Sequence, residues 1–192
     1  NPGNAKFREP TGLALGTSYL YVSDHGNHVV RCIGLPGSGD TGTHLVAGLP
    51  GIAGNTNGPP AKFNLPVSLA LQPGAENIFV SDLSNGKIRR IGTNGGIVGP
   101  TSNIASSLSG PKMISLDQNG WLWVPEYNGN RLTIVDTSSG NAKTTVATGL
   151  ASPMCVATSP NGATVYLGSY LAHIVSVYGF TAPTVTAAPA AP

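Results

Sequence analysis

Apolar and polar residues follow one another in short runs along almost the whole chain, and turn-forming residues break each run before a helical period develops. One thirteen-residue phrase recurs four times without a gap: YVSDHGNHVVRCI (21–33), FVSDLSNGKIRRI (79–91), WVPEYNGNRLTIV (123–135) and YLGSYLAHIVSVY (166–178). Each copy opens with an aromatic residue on a short apolar strand. A polar or acidic residue ends that strand, a small-residue turn follows, and a second, β-branched strand closes the phrase. The pattern predicts a repeated meander of antiparallel strands.

The second copy shows the order of parts. Val67–Leu71 reads as a strand, Gln72–Asn77 with its Pro-Gly as a turn, Ile78–Ser81 as the next strand, and Asp82–Gly86 as a turn into Lys87–Ile91. A proline marks the start of every unit (Pro10, Pro66, Pro111, Pro153). A fourth strand is expected at Thr43–Ala47, Asn103–Ser107 and Thr144–Thr148. Phrase starts at Tyr21, Phe79, Trp123 and Tyr166 lie 58, 44 and 43 residues apart, so the first interval carries an insertion near Gly34–Gly42 or Leu49–Pro60.

These features resemble the NHL-repeat β-propellers. The resemblance rests on Phe-x-x-Pro before the first strand (Phe7–Pro10, Phe63–Pro66), the aromatic-Val-Ser-Asp strand end, and the Asn-x-basic-Ile pattern after the turn. The basic position holds Val29, Lys87, Arg131 and Ile174, so the pattern is kept in the middle copies and lost in the last. The glycine-rich stretch from Ala47 to Pro66 is similar to the connections between NHL blades, and the likeness covers residues 5–180. The expected fold is therefore all-β, a β-propeller of about four four-stranded antiparallel blades followed by a Pro/Ala/Thr-rich C-terminal arm. Its repeats are expected near 7–50, 51–108, 109–150 and 151–180, with the arm at 181–192. The arm reads as a tail or linker, whose first half, Pro183–Ala187, could serve as the outer strand of the last blade.

Alternation along the second strand is expected to bury Tyr21, Phe79, Trp123 and Tyr166 between neighbouring blades, where rings contribute large contact areas. Asp24, Asp82 and Glu126 read as turn caps, since a short acceptor side chain can satisfy turn N–H groups. Four blades are few for a closed ring. A four-bladed ring, an open arc completed by another copy, and a piece of a larger propeller all stay open, and a start in NPGNAKFREP without Met suggests processing or excision from something longer.

Charge then narrows the setting. Only 9% of residues are charged and the net charge is +2, against about a quarter charged in ordinary domains. Solubility must come from neutral polar groups, attached sugars or burial in an assembly. The densest basic spot, Lys87, Arg89 and Arg90, splits across two faces of a strand and gives no nucleic-acid stripe. No apolar run reaches the roughly twenty residues of a membrane helix. Few Lys and Glu, together with the family resemblance, favour an extracellular or periplasmic place. Cys32 and Cys155 fall in strands of different units and read as buried free thiols rather than a disulfide.

The tail TAPTVTAAPAAP favours extended, polyproline-like backbone. Its spacing resembles hydroxyproline-glycosylated wall proteins of algae and plants. That likeness makes Thr181, Thr184 and Thr186 candidate O-glycan acceptors and Pro183, Pro189 and Pro192 candidate hydroxyproline positions. The chain contains no Asn-x-Ser/Thr sequon.

Catalytic patterns are sparse. His25, His28, His44 and His173 are scattered and read as surface polar groups, Asp117 is the one carboxylate beside the predicted inner strands, and no Gly-x-Ser-x-Gly elbow occurs. No cofactor and no metal site is expected. The reading is a non-catalytic extracellular propeller, a structural or interaction subunit of a glycosylated fibre or other assembly, with other protein chains, copies of itself and glycans as partners. The alternatives are a metal-dependent propeller enzyme of lyase or lactonase type, or a fragment of a larger propeller. Recognition residues are expected on the loops between second and third strands: Tyr127 and Tyr170 first, with His25 and Asn128 beside them.

Overall fold

The computed structural model describes residues 6–74, 77–93 and 99–180. Within them the chain is an all-β propeller of four antiparallel sheets laid down one after another. The first holds β1 (Pro10–Leu15), β2 (Tyr19–Asp24), β3 (Val29–Gly34) and β4 (Thr43–Gly48). The second holds β5 (Pro66–Leu71), β6 (Asn77–Asp82), β7 (Lys87–Gly92) and β8 (Thr101–Ala105). The third holds β9 (Ser115–Leu116), β10 (Trp121–Glu126), β11 (Arg131–Asp136) and β12 (Lys143–Thr148). The fourth has three strands among the described residues, β13 (Pro153–Thr158), β14 (Thr164–Ser169) and β15 (Ile174–Gly179). The expected outer strand at Pro183–Ala187, like the glycan and hydroxyproline positions of the tail, lies outside the described residues.

Each recurring phrase is a β-hairpin whose turn ends on one left-handed residue. That residue is His28, Gly86, Asn130 or His173, at φ between 51° and 59°. Glycine, asparagine and histidine tolerate this region best, which is why the eighth position of the phrase varies only among them. The predicted strand Asn103–Ser107 is instead Thr101–Ala105. Gly92 N–H donates to Pro100 O and closes the hairpin two residues earlier, while Ser107, at φ 58°, has already turned away.

The core lies between blades. Tyr21, Val30, Cys32 and Val46 of the first blade meet Leu69, Ile78, Val80 and Ile91 of the second. Ala70, Phe79 and Ile88 of the second meet Leu122, Val124 and Val135 of the third. Trp123, Leu132 and Ile134 of the third meet Val156, Val165 and Leu167 of the fourth. Two faces have no such partner among the described residues. On the far side of the first blade Leu13 and Leu15 are 63% and 70% exposed, and on the far side of the fourth Tyr166, Val175 and Val177 are 46%, 70% and 62% exposed. Within the described residues the run of blades therefore forms an open arc.

That openness corrects two expectations. Tyr21, Phe79 and Trp123 are buried as predicted, but Tyr166 is not, because no further blade covers its ring among the described residues. Cys155 is exposed for the same reason, whereas Cys32 is buried, and both are free thiols. The cause lies in the neighbour and not in the strand.

Candidate functional site

The acidic end of the second strand is a structural latch in the first three blades. Asp24 accepts from Arg8 N–H at 2.7 Å, Asn27 Nδ2 at 2.9 Å and Arg31 Nε at 2.7 Å. Asp82 repeats the set with Asn64 N–H at 2.7 Å, Asn85 Nδ2 at 2.9 Å and Arg89 at 2.9 Å. Glu126 takes Ser109 N–H, two bonds from Arg131, and Thr133 Oγ1. All three carboxylates are fully buried. Each ties the lead-in loop of its own blade to its own hairpin, and in the fourth blade Ser169 stands at this position. For Asp82 burial raises the pKa more than the hydrogen bonds of Asn85, Asn64 and Arg89 lower it. For Glu126 burial also acts upward, but the bonds from Arg131, Thr133 and Ser109 outweigh it and the pKa falls.

Arg31 and Arg89 are residues that the sequence reading missed. The basic position of the family pattern, Val29 and Lys87, lies two residues too early. The partner of the carboxylate is on β3 or β7, seven residues after it. The spacing Asp-x-x-Asn-x-x-x-Arg, at 24/27/31 and again at 82/85/89, was the available signal. The lead-in phenylalanines complete the latch, with Phe7 under the Arg31 guanidinium at 5.9 Å and Phe63 under Arg89 at 5.0 Å. Arg89, wholly buried, also donates to Lys62 O, Thr56 O and Asn57 Oδ1, so it gathers the inserted connection Leu49–Leu65 around itself.

Other titratable groups serve turns and blade contacts. Asp117 accepts from the N–H groups of Asn119 and Trp121 and from Trp123 Nε1 at 3.0 Å. His25 Nδ1 lies 3.1 Å from Pro66 O, and His28 Nδ1 accepts from Leu65 N–H at 3.1 Å. Both histidines are half-buried ties from the first blade to the second, which corrects their reading as surface polar groups. His44 Nε2 sits 2.8 Å from Asp40 Oδ2 at the opposite end of the first blade. Among the described residues no three His, Cys, Asp or Glu side chains converge as metal ligands would, and no helix is long and apolar enough to cross a membrane.

The tyrosines do converge. Tyr127, after β10, and Tyr170, after β14, are brought together across two blades with ring centroids 6.2 Å apart and planes at 48°. Lys112 Nζ lies 5.3 Å over the Tyr127 ring. Gly110 O accepts from Tyr127 N–H and Ser152 O from Tyr170 N–H, so both tips are fixed to lead-in loops. Tyr127 is half-buried, whereas Tyr170 and Leu171 are 56% and 63% exposed. Asn128 is exposed on the turn of Tyr127, with its N–H on Ser109 O. His25 is not part of this group, since its ring is spent on the first-to-second blade contact. The arrangement offers two aromatic faces and one cation for stacking.

The sequence matches no known family profile and no curated protein. Solved structures match it in fold. Virginiamycin B lyase from Staphylococcus aureus superposes with a TM-score of 0.61 at 16% identity, covering 91% of this chain and 56% of that one. A chain of the nidogen/laminin complex gives 0.72 at 15% identity, covering 90% and 60%. A chain of Kuenenia stuttgartiensis hydrazine synthase gives 0.69 at 16%, covering 92% and 48%. The chain thus spans about half to three fifths of the length of the structures it resembles. What it shares with them is the β-propeller architecture, a fold that carries an enzyme in the lyase and a member of a protein complex in nidogen/laminin.

Proposed function

We propose that the chain is a non-catalytic propeller of the NHL-repeat type, acting outside cells as a structural or interaction subunit, with Tyr127 and Tyr170 as its contact residues. The pairing of these two rings across neighbouring blades carries the reading. Sheet packing does not require an aromatic residue at either loop tip, and a tilted pair beside a lysine is suited to stack on a sugar ring or a partner's side chains. The buried carboxylates, in contrast, are consumed by their arginines. The low charge supports a life in an assembly, and the Thr/Pro-rich arm supports glycan attachment. The alternative of a metal-dependent lyase has the likeness to virginiamycin B lyase in its favour, at the level of fold.

Binding of the intact protein to a microarray of extracellular-matrix and cell-wall glycans tests the platform. A Tyr127→Ala/Tyr170→Ala variant is expected to lose at least about tenfold in affinity for the strongest glycan, the worth of one or two stacked rings. Unchanged binding by that variant refutes the assignment of the site. A stoichiometric divalent cation in the purified protein, with a lyase activity lost on chelation, would overturn the non-catalytic reading.

A further inference from the structure

The two uncovered faces at the ends of the arc are equivalents of two faces that pack together inside it. On the first blade, Leu13 pairs with Val22, and Leu15 with Leu20, which pairs with Ile33. On the second blade the same register sets Leu69 against Val80, and Leu71 against Ile78, which pairs with Ile91. The second-blade set is buried, and what covers it is the near face of the first blade, with the row Ala14, Tyr21 and Cys32. The outer face of the fourth blade repeats that covering row as Ala157, Tyr166 and Val177, with Val175 where Val30 stands. One end of the arc therefore has the chemistry that the other end is built to receive.

We propose that the outer face of the fourth blade docks on the outer face of the first blade of a second copy of this chain, continuing the blade-on-blade stacking between molecules. Several features favour a second copy as the occupant. The fourth-blade face carries no charged side chain among Cys155, Ala157, Tyr166, Gly168, Val175 and Val177, and on the first-blade face Arg31 is already held by Asp24. A shallow hollow of about 290 Å³ between Cys155, Gly168, Ile174 and Val175 gives a leucine from the facing blade a place to insert. The twelve residues 181–192, all Thr, Ala, Pro and Val, lack the leucine and isoleucine side chains with which the second blade covers the equivalent face of the first. Such a contact is heterologous, one face meeting a different one, so it makes a ring where the rotation closes and a filament where it does not. Tyr170 also borders that hollow, but Leu15 and Val177 do not belong to the Tyr127–Tyr170 pair, so variants at those two positions test the contact apart from the glycan platform.

Sedimentation of the full chain and two single variants tests the contact. The wild type is expected to grow with concentration from 19.5 kDa to at least twice that mass. Val177→Lys disables only the fourth-blade face and Leu15→Glu only the first-blade face, so each variant alone is expected to remain monomeric. An equimolar mixture retains one intact face of each kind and is expected to form a 1:1 dimer and nothing larger. Both substitutions are at exposed positions, and unchanged far-ultraviolet dichroism will show that folding is intact. As an independent readout, a bulky maleimide on Cys155 is expected to block association, and association to slow the labelling. A wild type that stays monomeric at every attainable concentration overturns the proposal. So does a single variant that still dimerises, since that would be a face meeting its own copy, and so does a mixture that stays monomeric.

Discussion

Replacing Arg89 by methionine is expected to be among the costliest single changes in this protein. Methionine fills much of the same volume, so the loss is electrostatic and hydrogen-bonded more than steric. Asp82 would remain fully buried with Asn64 N–H and Asn85 Nδ2 but without its cation, Lys62 O would lose its bond from Arg89, and Thr56 O would keep Lys62 N–H but lose Arg89. Breaking a buried ion pair from one side costs about 3–5 kcal/mol, a large share of the roughly 5–15 kcal/mol that holds an ordinary domain. Arg131→Met is the internal control. Its guanidinium is 34% exposed and Glu126 keeps Thr133 and Ser109, so the expected cost is about 1–2 kcal/mol after solvent screening. Urea unfolding followed through the fluorescence of buried Trp123 measures both. A second signature separates charge from packing. Without its cation Asp82 holds a proton more readily in the folded state, so the Arg89→Met deficit should shrink as pH falls. An Arg89→Met cost no larger than that of Arg131→Met, or one that does not change with pH, would refute the latch argument.

Glu126 has a folded pKa below its ordinary value of 4.5, so the unfolded chain binds the proton first as pH falls. Its stabilisation is complete above that value and disappears as pH drops through the folded pKa. The melting-temperature gap between wild type and Glu126→Gln should accordingly narrow from neutral pH towards about pH 3. Thiol titration with a chromogenic disulfide should label one cysteine per native chain, exposed Cys155, and two after unfolding, because Cys32 is buried and its thiol is pushed up to about 11. Phe180, whose ring meets Trp123 edge-on at 4.9 Å, covers one side of the third-to-fourth blade contact. Phe180→Ala should cost about 1–3 kcal/mol and shift the Trp123 emission to the red.

Strand positions were legible because each is decided within a dozen residues. The aromatic starts, the small turns and the β-branched ends of the phrase specify a hairpin locally, and all four appear where the pattern puts them. The latch was harder to see, because Asp24 and Arg31 meet diagonally across a hairpin and only their repetition as Asp82 and Arg89 exposes the link. The environments of Tyr166 and Cys155 were not legible at all. Their strand is the same as in the other copies, and burial there is conferred by a sheet some forty residues away in its homologous positions, which the local pattern does not encode. The tyrosine pair was half legible. The loop tips could be named, but the 6.2 Å approach of Tyr127 to Tyr170 depends on the stagger of two blades.

The latch has a consequence for how such a chain is inherited. Arg8 N–H with Asp24, and Asn64 N–H with Asp82, are contacts 16 and 18 residues long in sequence, contained within one blade and its own lead-in. A segment duplicated from a lead-in phenylalanine through the third strand therefore brings its carboxylate, its arginine and its stacking ring along, and takes from the next blade an apolar face and a few polar ties such as those of Ser23, His25 and His28. Because the latch does not cross to a neighbour, a blade keeps it when the blade beside it changes, and what such a change must rebuild is the apolar contact between the two.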